Sequence, residues 1–335
     1  KGFKIFPVPI HRGGTNLFEE IHTIYYLWKL FKKIRPDILH LVTIKPYLYG
    51  GIIARLTNVP SVVTAIAGLG SLFIRNSFKN IFIRTLIYPI YKVALGHSNQ
   101  MIIVQNKDDA KLLIKWGVLN SKKTKLLKGS GVDLNKFIIR KEPKGIPVVC
   151  FAGRLLKDKG VMEFVEAARI IKKKGINARF ILAGKKDLSN PTGINTKEIK
   201  NFKDEKIVEV LGYKKNISAL LYKSNIVCLP SYREGFPKIL AEAAASSRPI
   251  ITTNVPGCRD AIIPNKSGLL VPVKNSIKLA NVIKRLINNR SERIAMGKAG
   301  RKLAEKEFRI EKIIKAHLKI YQKLFNNFNR IHKRF

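Results

Sequence analysis

The chain has 335 residues, 46 % of them hydrophobic, and carries 64 Lys and Arg against 22 Asp and Glu, a formal net charge of +42. That length and apolar content supply two cores and exclude a disordered chain. The charge asks for an anionic partner, such as nucleic acid, phospholipid or a diphosphate. Three cysteines, an odd number with no C-x-x-C pair, argue against a disulfide framework or thiolate metal centre, so no disulfide and no metal site are expected.

In chain order, Phe3 to Val8 reads as a strand, Asn16 to Ile34 as a helix, Ile38 to Val42 as a strand and Pro46 to Leu56 as a helix. Ser61 to Ile66 and Met101 to Val104 read as strands, with helices at Ser77 to Leu95 and Asp108 to Trp116. Residues 1–145 hold 24 basic and 7 acidic residues, so the basic excess is spread over both halves. No Asp or Glu occurs between Asp37 and Asp108, a span holding Lys45, Arg55, Arg75, Lys79, Arg84, Lys92 and Lys107. Within it, 71–75 and 78–88 mix large apolar and basic residues in the manner of an interfacial helix, although a helix packed on a sheet has the same pattern. No apolar run approaches the roughly 18 residues that spanning a bilayer requires, so membrane contact is expected to be peripheral.

Gly129-Ser-Gly-Val-Asp133 and Lys141 to Pro147 have the Gly and Pro content of a linker. Strand and helix then alternate again, the pattern of a parallel sheet covered on both faces. Val148 to Ala152 is a strand that runs into Gly153-Arg154-Leu155, then Lys157-Asp-Lys159-Gly160 and an amphipathic helix. A glycine, a guanidinium and an ammonium at a strand-to-helix turn can cradle a diphosphate, although two bases in so Lys-rich a chain can equally be solvated surface residues. Tyr213, after the strand Ile207 to Leu211, suits either a core position or the border of a base.

Asn225 to Pro230 is a buried strand, and Pro237 suits the first turn of a helix starting at about Phe236 and ending at Ser246 to Pro249. Glu234 then stands at the helix mouth and Glu242 two turns along, roughly 80° round the axis. A carboxylate accepts from two neighbouring hydroxyls, which suits Glu242 to a ribose. Glu234 beside the N–H groups of Gly235 and Phe236 offers acceptors to sugar hydroxyls and donors to phosphate. By spacing alone, an exposed Glu pair on a surface helix fits as well.

Taken together, Gly153-Arg154-Leu155 with Lys159, Ser231-Tyr-Arg-Glu-Gly-Phe-Pro237 with Glu242, Arg248-Pro-Ile-Ile-Thr-Thr253, Val255-Pro-Gly-Cys-Arg-Asp260 and Ser267-Gly-Leu-Leu-Val-Pro272 resemble the C-terminal domain of family 4 retaining glycosyltransferases. Arg35 to Leu41, Tyr49 to Arg55, Thr64 to Gly70 and Gly129 to Phe137 resemble that family's acceptor domain and linker, so the likeness runs over nearly the whole chain. The Pro-Gly-Cys-Arg variant is similar to bacterial enzymes that extend lipid-linked sugars for surface polysaccharides, including lipopolysaccharide and capsule, or for glycoproteins.

The resemblance implies an α/β GT-B fold of two doubly wound, Rossmann-like domains facing a cleft. Residues 1–142 would form the acceptor-side domain, 143–308 the nucleotide-sugar domain, and 309–335 a helix crossing back to the first. Against the family pattern the first domain is expected to be incomplete, lacking roughly fifty residues of early βαβ structure, with a gap between the strands at Phe3 and Ile38. Such a fragment need not be active alone.

The implied reaction moves a hexose or N-acetylhexosamine, with retention, from a nucleoside diphosphate sugar such as a UDP-sugar to a saccharide on polyprenyl diphosphate. No cofactor or metal is implied. Arg154, Lys159 and Glu234 would be catalytic, with Gly153, Gly235, Phe236, Pro237 and Glu242 binding the donor. Many relatives carry a histidine in the loop matching Thr64 to Gly70. Here the loop has none, which leaves the protein base unassigned and Gly68 and Gly70 as a possible acceptor or donor loop or a plain tight turn. The implied setting is cytoplasmic, peripheral at the inner face of the cell membrane on an anionic surface. Two alternatives are a basic nucleic-acid-binding protein, for which no recognisable motif is present and no nucleic acid is expected, and a non-catalytic glycosyltransferase-like subunit.

Overall fold

The computed structural model describes residues 2–10, 16–70, 73 and 78–332. The chain divides into two compact units, one of residues 1–127 and 314–335, the other of residues 128–313.

In the first unit, α1 (Leu17–Ile34) is capped by the Asn16 side chain, which accepts from the Phe18 N–H at 3.1 Å, and ends at Arg35 in the left-handed region. It is followed by β1 (Ile38–Val42), α2 (Ile44–Leu56), β2 (Ser61–Ile66), α3 (Phe78–Ala94), β3 (Gln100–Val104), α4 (Lys107–Lys115) and β4 (Thr124–Leu126). The strands form a parallel sheet ordered β1-β2-β3-β4 among the described residues. Its core joins Leu27 and Phe31 of α1, Tyr47 and Ile53 of α2, Val62 and Ile66 of β2, and Tyr91 of α3.

The strand expected at Phe3 to Val8 does not form. Residues 2–10 lie outside the sheet, and Phe3 and Ile5 are each 88 % exposed. A short apolar run becomes a strand only where a neighbouring ladder takes up its backbone groups, and Pro7 and Pro9 supply no N–H to one. Most of the apolar–basic segment 71–75 falls outside the described residues.

The second unit contains β5 (Val148–Ala152), α5 (Val161–Lys173), β6 (Arg179–Ala183), α6 (Thr196–Asp204), β7 (Glu209–Gly212), α7 (Ile217–Tyr222), β8 (Ile226–Leu229), α8 (Lys238–Ala245), β9 (Ile250–Thr253), β10 (Gly268–Val271), α9 (Ser276–Asn288) and α10 (Arg290–Leu303). A single π-helical turn, Ala304–Phe308, leads into α11 (Ile310–His332). All pairings are parallel, in the order β10-β9-β8-β5-β6-β7. The central strands are apolar throughout because helices cover both faces, and every residue of β5 and β8 is buried. Tyr213 is not a core residue. It follows β7, an edge strand, and is 71 % exposed.

Residues 128–142, grouped with the first domain by sequence, pack with the second unit. Val132, Leu134 and Phe137 enter its core. Three arginines and a tyrosine fasten the stretch from Lys136 to Glu142. Arg248, 2 % exposed, donates to the carbonyls of Leu221 at 3.0 Å and Arg140 at 3.3 Å. Arg301 donates to the carbonyls of Phe137 and Ala245, each at 2.7 Å. Arg293 pairs with the buried carboxylate of Glu142. The Tyr222 hydroxyl donates to the carbonyl of Lys136 at 3.0 Å. At the other end, α11 belongs to the first unit from Ile314 onward, where Ile320 and Leu324 pack with Val63, Met101 and Ile103.

Candidate active site

In the second sheet the chain runs outward from β5 to β6 and β7, then returns to lay β8 on the other side of β5. Neighbouring loops therefore leave β5 and β8 toward opposite faces, and a crevice opens beyond their carboxyl ends. Val149 pairs with Ile226 and Cys150 with Val227, so the loops beginning at Gly153 and Pro230 start side by side.

These loops are held in close contact by glycines. A Cβ on Gly160 (φ +76) would overlap the Pro230 carbonyl. One on Gly257 (φ +77) would lie 2.5 Å from the carbonyl oxygens of Glu234 and Gly235. The Glu234 N–H donates to the Pro256 carbonyl at 3.3 Å, and the Tyr232 N–H to Asp158 at 2.8 Å. The loop after β8 is thus wedged between the loops after β5 and β9.

The Lys159 ammonium pairs with the Glu234 carboxylate across the two loops, with side chains only 19 % and 12 % exposed. The thiol of Cys258 is pushed up to about 12, first by burial and then by the Glu234 charge, which marks how near the buried Cys258 lies to that pair. Arg154 projects from the carboxyl end of β5, half-exposed, and its Nη1 donates to Asp187 at 3.0 Å. Gly153 donates its N–H to the Ala183 carbonyl at 3.0 Å and needs no side chain to do so.

The helix expected from about Phe236 begins at Lys238, with Pro237 as its extended N-cap residue (φ −76°, ψ 112°). Proline at a cap removes no helical hydrogen bond, so the cap and first-turn positions both suit it, and residue type does not separate them. Glu242 lies inside α8, 7 % exposed, with Lys238 Nζ 3.6 Å away. Burial raises its carboxyl above the usual range, against the pull of Lys238 and Lys136. The Phe236 ring turns toward Gly129 and stacks edge-on against Phe308, centroids 5.1 Å apart.

The second unit therefore brings Lys159, Glu234, Gly235, Phe236 and Pro237 together, with Gly153 and Arg154 just past the carboxyl end of β5 and Glu242 inside α8. Gly68 (φ +137) and Gly70 (φ +70) belong to the first unit, after β2. Sequence reasoning gave no role to Asp187 or Lys238 and had Gly257 only as part of the Val255 to Asp260 motif. Lys238 was within reach, since it stands four residues before Glu242 on one helix. Asp187 carried no local signal, because β6 is next to β5 only through the sheet.

Switch-point loops with cations beside carboxylates, in a chain built of two parallel α/β units, define a glycosyltransferase of the GT-B kind. The chain belongs to the glycosyl transferases of group 1, whose family description matches residues 134–303, and the description "Glycosyl transferase 4-like" matches residues 1–106.

Among relatives, it is 29 % identical to the N,N'-diacetylbacillosaminyl-diphospho-undecaprenol alpha-1,3-N-acetylgalactosaminyltransferase of Campylobacter jejuni, over 97 % of this chain and 87 % of that protein. It is 27 % identical to the UDP-Gal:alpha-D-GlcNAc-diphosphoundecaprenol alpha-1,3-galactosyltransferase of Escherichia coli, over 86 % and 76 % of the two chains. Among solved structures it is similar in fold to sucrose-phosphate synthase from Thermosynechococcus elongatus (TM-score 0.77, 22 % identity, 94 % of this chain and 82 % of that one). The Anabaena protein HepE, in complex with UDP and glucose, is also similar in fold (TM-score 0.75, 17 % identity, 93 % and 84 %).

Proposed function

We propose that this glycosyltransferase moves a hexose or N-acetylhexosamine from a UDP-sugar to a saccharide carried on polyprenyl diphosphate, with retention of configuration. The observation that carries the reading is the Lys159–Glu234 pair at the β5/β8 switch point, with Arg154 at the carboxyl end of β5. The Campylobacter and Escherichia relatives, both named for undecaprenyl-diphosphate-linked saccharides, support the acceptor class.

Breaking the bond between the sugar and the β-phosphate builds negative charge on the departing diphosphate. Lys159 and Arg154 meet that charge where it develops, which is worth most in a site that excludes water. Arg154 has five N–H donors, so it can keep Asp187 and still fork two phosphate oxygens. The Lys159–Glu234 pair aims the ammonium at phosphate and the carboxylate at the sugar hydroxyls. Gly235 and Phe236 bring backbone N–H groups to the donor, Gly153 and Pro237 keep the two loops low, and Glu242 accepts from the ribose hydroxyls. The acceptor oxygen bonds the anomeric carbon on the face that the diphosphate leaves, and a phosphate oxygen takes the acceptor's proton. Gly68 and Gly70 offer backbone to acceptor or donor.

The same reading puts the protein on the inner face of the cell membrane through α3. Phe78, Phe82, Leu86, Ile90 and Val93, three or four residues apart, form one exposed stripe, with Phe78 93 % and Phe82 70 % exposed. Arg84 and Lys92 stand on the same acid-free helix, which suits anionic lipid. Among the described residues no helix is long and apolar enough to cross a membrane.

The test is incubation of the protein with a panel of UDP-sugars and polyprenyl diphosphate saccharides, with the anomeric configuration of the product read by NMR. Transfer with the donor's configuration kept is expected. Donor hydrolysis alone, or inversion, would refute the reading.

A further inference from the structure

The second unit connects to the rest of the chain at two places, before Lys128 and after Ile313. Just inside each lies a segment tied to the other. The Val132 N–H donates to the Phe308 carbonyl at 2.7 Å, and the Ile310 N–H to the Val132 carbonyl at 3.0 Å. A Cβ on Gly131 (φ +83) would lie 2.7 Å from Ile310 Cα, so the two segments touch backbone to backbone. The π-helical turn Ala304–Phe308 presents Phe308, fully buried, to the Phe236 ring. Such turns are uncommon in helices and tend to re-aim a side chain at a functional site. The same ring meets Gly129: a Cβ there (φ +69) would fall 2.6 Å from Phe236 Cδ1 and 3.2 Å from Cε1. Phe236 directly follows Glu234 and Gly235, whose carbonyls are backed by Gly257.

We propose that Gly129 is a positioning residue for the donor loop. With Phe308 it forms a slot that fixes the Phe236 ring, and through that ring the height of Glu234 opposite Lys159. The inference rests on the donor-site reading of this loop. It assigns to the crossover segment, which touches no reacting atom, control over where the sugar-orienting carboxylate stands. A residue larger than glycine at 129 pushes the ring, which is already packed against the buried Phe308. The loop moves instead.

Gly175 supplies the control. Its φ is +68, nearly that of Gly129, and nothing lies within 4 Å of where its Cβ would stand. Alanine at either position pays the same left-handed backbone cost, and only at 129 does it meet a ring. Gly129→Ala is therefore expected to lower kcat about tenfold or more beyond Gly175→Ala, in line with the cost of misplacing a catalytic group by a fraction of an ångström. The amide resonances of Gly235 and Gly257 are expected to shift in Gly129→Ala and not in Gly175→Ala.

In a Phe236→Leu background, where the side chain at 236 can fold away, Gly129→Ala is expected to cost no more than Gly175→Ala does in that same background. Equal effects of the two alanines in the parent protein, or an undiminished Gly129→Ala effect in the Phe236→Leu background, would overturn the proposal. If the parent protein neither binds UDP nor transfers sugar, the donor reading fails by itself, and the amide shifts still decide whether Gly129 sets the loop.

Discussion

The ends of β5 and β8 and the surface of the first unit are built on opposite principles. Around the β5/β8 crevice, charged side chains are paired: Lys159 with Glu234, Arg154 with Asp187, Lys157 with Glu198 and Lys238 with Glu242. In the first unit α3 holds no acidic residue and turns phenylalanine and leucine outward. Half-exposed pairs such as Arg154–Asp187 contribute little to stability. On the proposed reading they hold a cation in place until a diphosphate takes over part of its coordination. An outward apolar stripe wins nothing in water and gains only against something apolar. Under the proposed function, one region is prepared for an anion and the other for a membrane surface.

Several substitutions would break or sharpen that contrast. Largest is the effect expected at the paired charges: Glu234→Ala and Arg154→Ala should each lower sugar transfer by about a hundredfold or more, as lost electrostatic stabilisation does. Steady-state turnover measures this, and unchanged rates in both would leave the crevice without a role. Next comes the stripe. Replacing Phe82 and Leu86 with serine is expected to weaken sedimentation with anionic vesicles by roughly tenfold or more, given about 1.5–3 kcal/mol for each large apolar side chain buried. UDP binding, measured by calorimetry, should not change. If both measurements moved together, the two regions would not be separable.

For Glu242→Ala the expected change is mainly in donor affinity, about tenfold for a lost charge-assisted contact. A slower reaction with unaltered UDP binding would count against the ribose role. The smallest effect concerns pH. Burial raises the Glu242 carboxyl above its ordinary 4.5. The folded state then holds a proton that the unfolded chain has released, so this group's contribution is complete below 4.5 and falls as pH rises through the folded value. Glu242→Gln should therefore gain thermal stability relative to the parent at about pH 7.5 compared with about pH 4. A gain at the acid end that vanished at the alkaline end would reverse the sign and the account.

The loops of the candidate site were legible because their signals are local. Gly153-Arg154 follows a run of buried β residues, and Glu234-Gly235 follows another, so a reader who finds two strands also finds their carboxyl ends. What could not be read was lateral. That β5 lies beside β8, bringing Lys159 to Glu234, depends on strand order, and that Asp187 meets Arg154 depends on β6 lying on the other side. The helix start moved by two residues because proline is at home at either position. The segment 3–8 has a strand's length and apolar content, yet a strand exists only by virtue of the ladder beside it. Residues 128–142 have a linker's composition, but Val132, Leu134 and Phe137 have somewhere to be buried, and composition does not reveal that destination.

The fastening of residues 136–143 by Arg248, Arg293, Arg301 and Tyr222 has a consequence for how the chain comes apart. Each guanidinium there is satisfied by carbonyls or a carboxylate of that segment. Releasing the segment would leave each guanidinium with only its remaining partners and take from the buried Arg293 its Glu142 counter-ion, a loss of the kind that costs several kcal/mol. A stretch that looks like a tether therefore melts with the sheet it borders: its slowest-exchanging amide hydrogens should wait for the opening of β5, and proteases should find no early cut between Lys136 and Pro143.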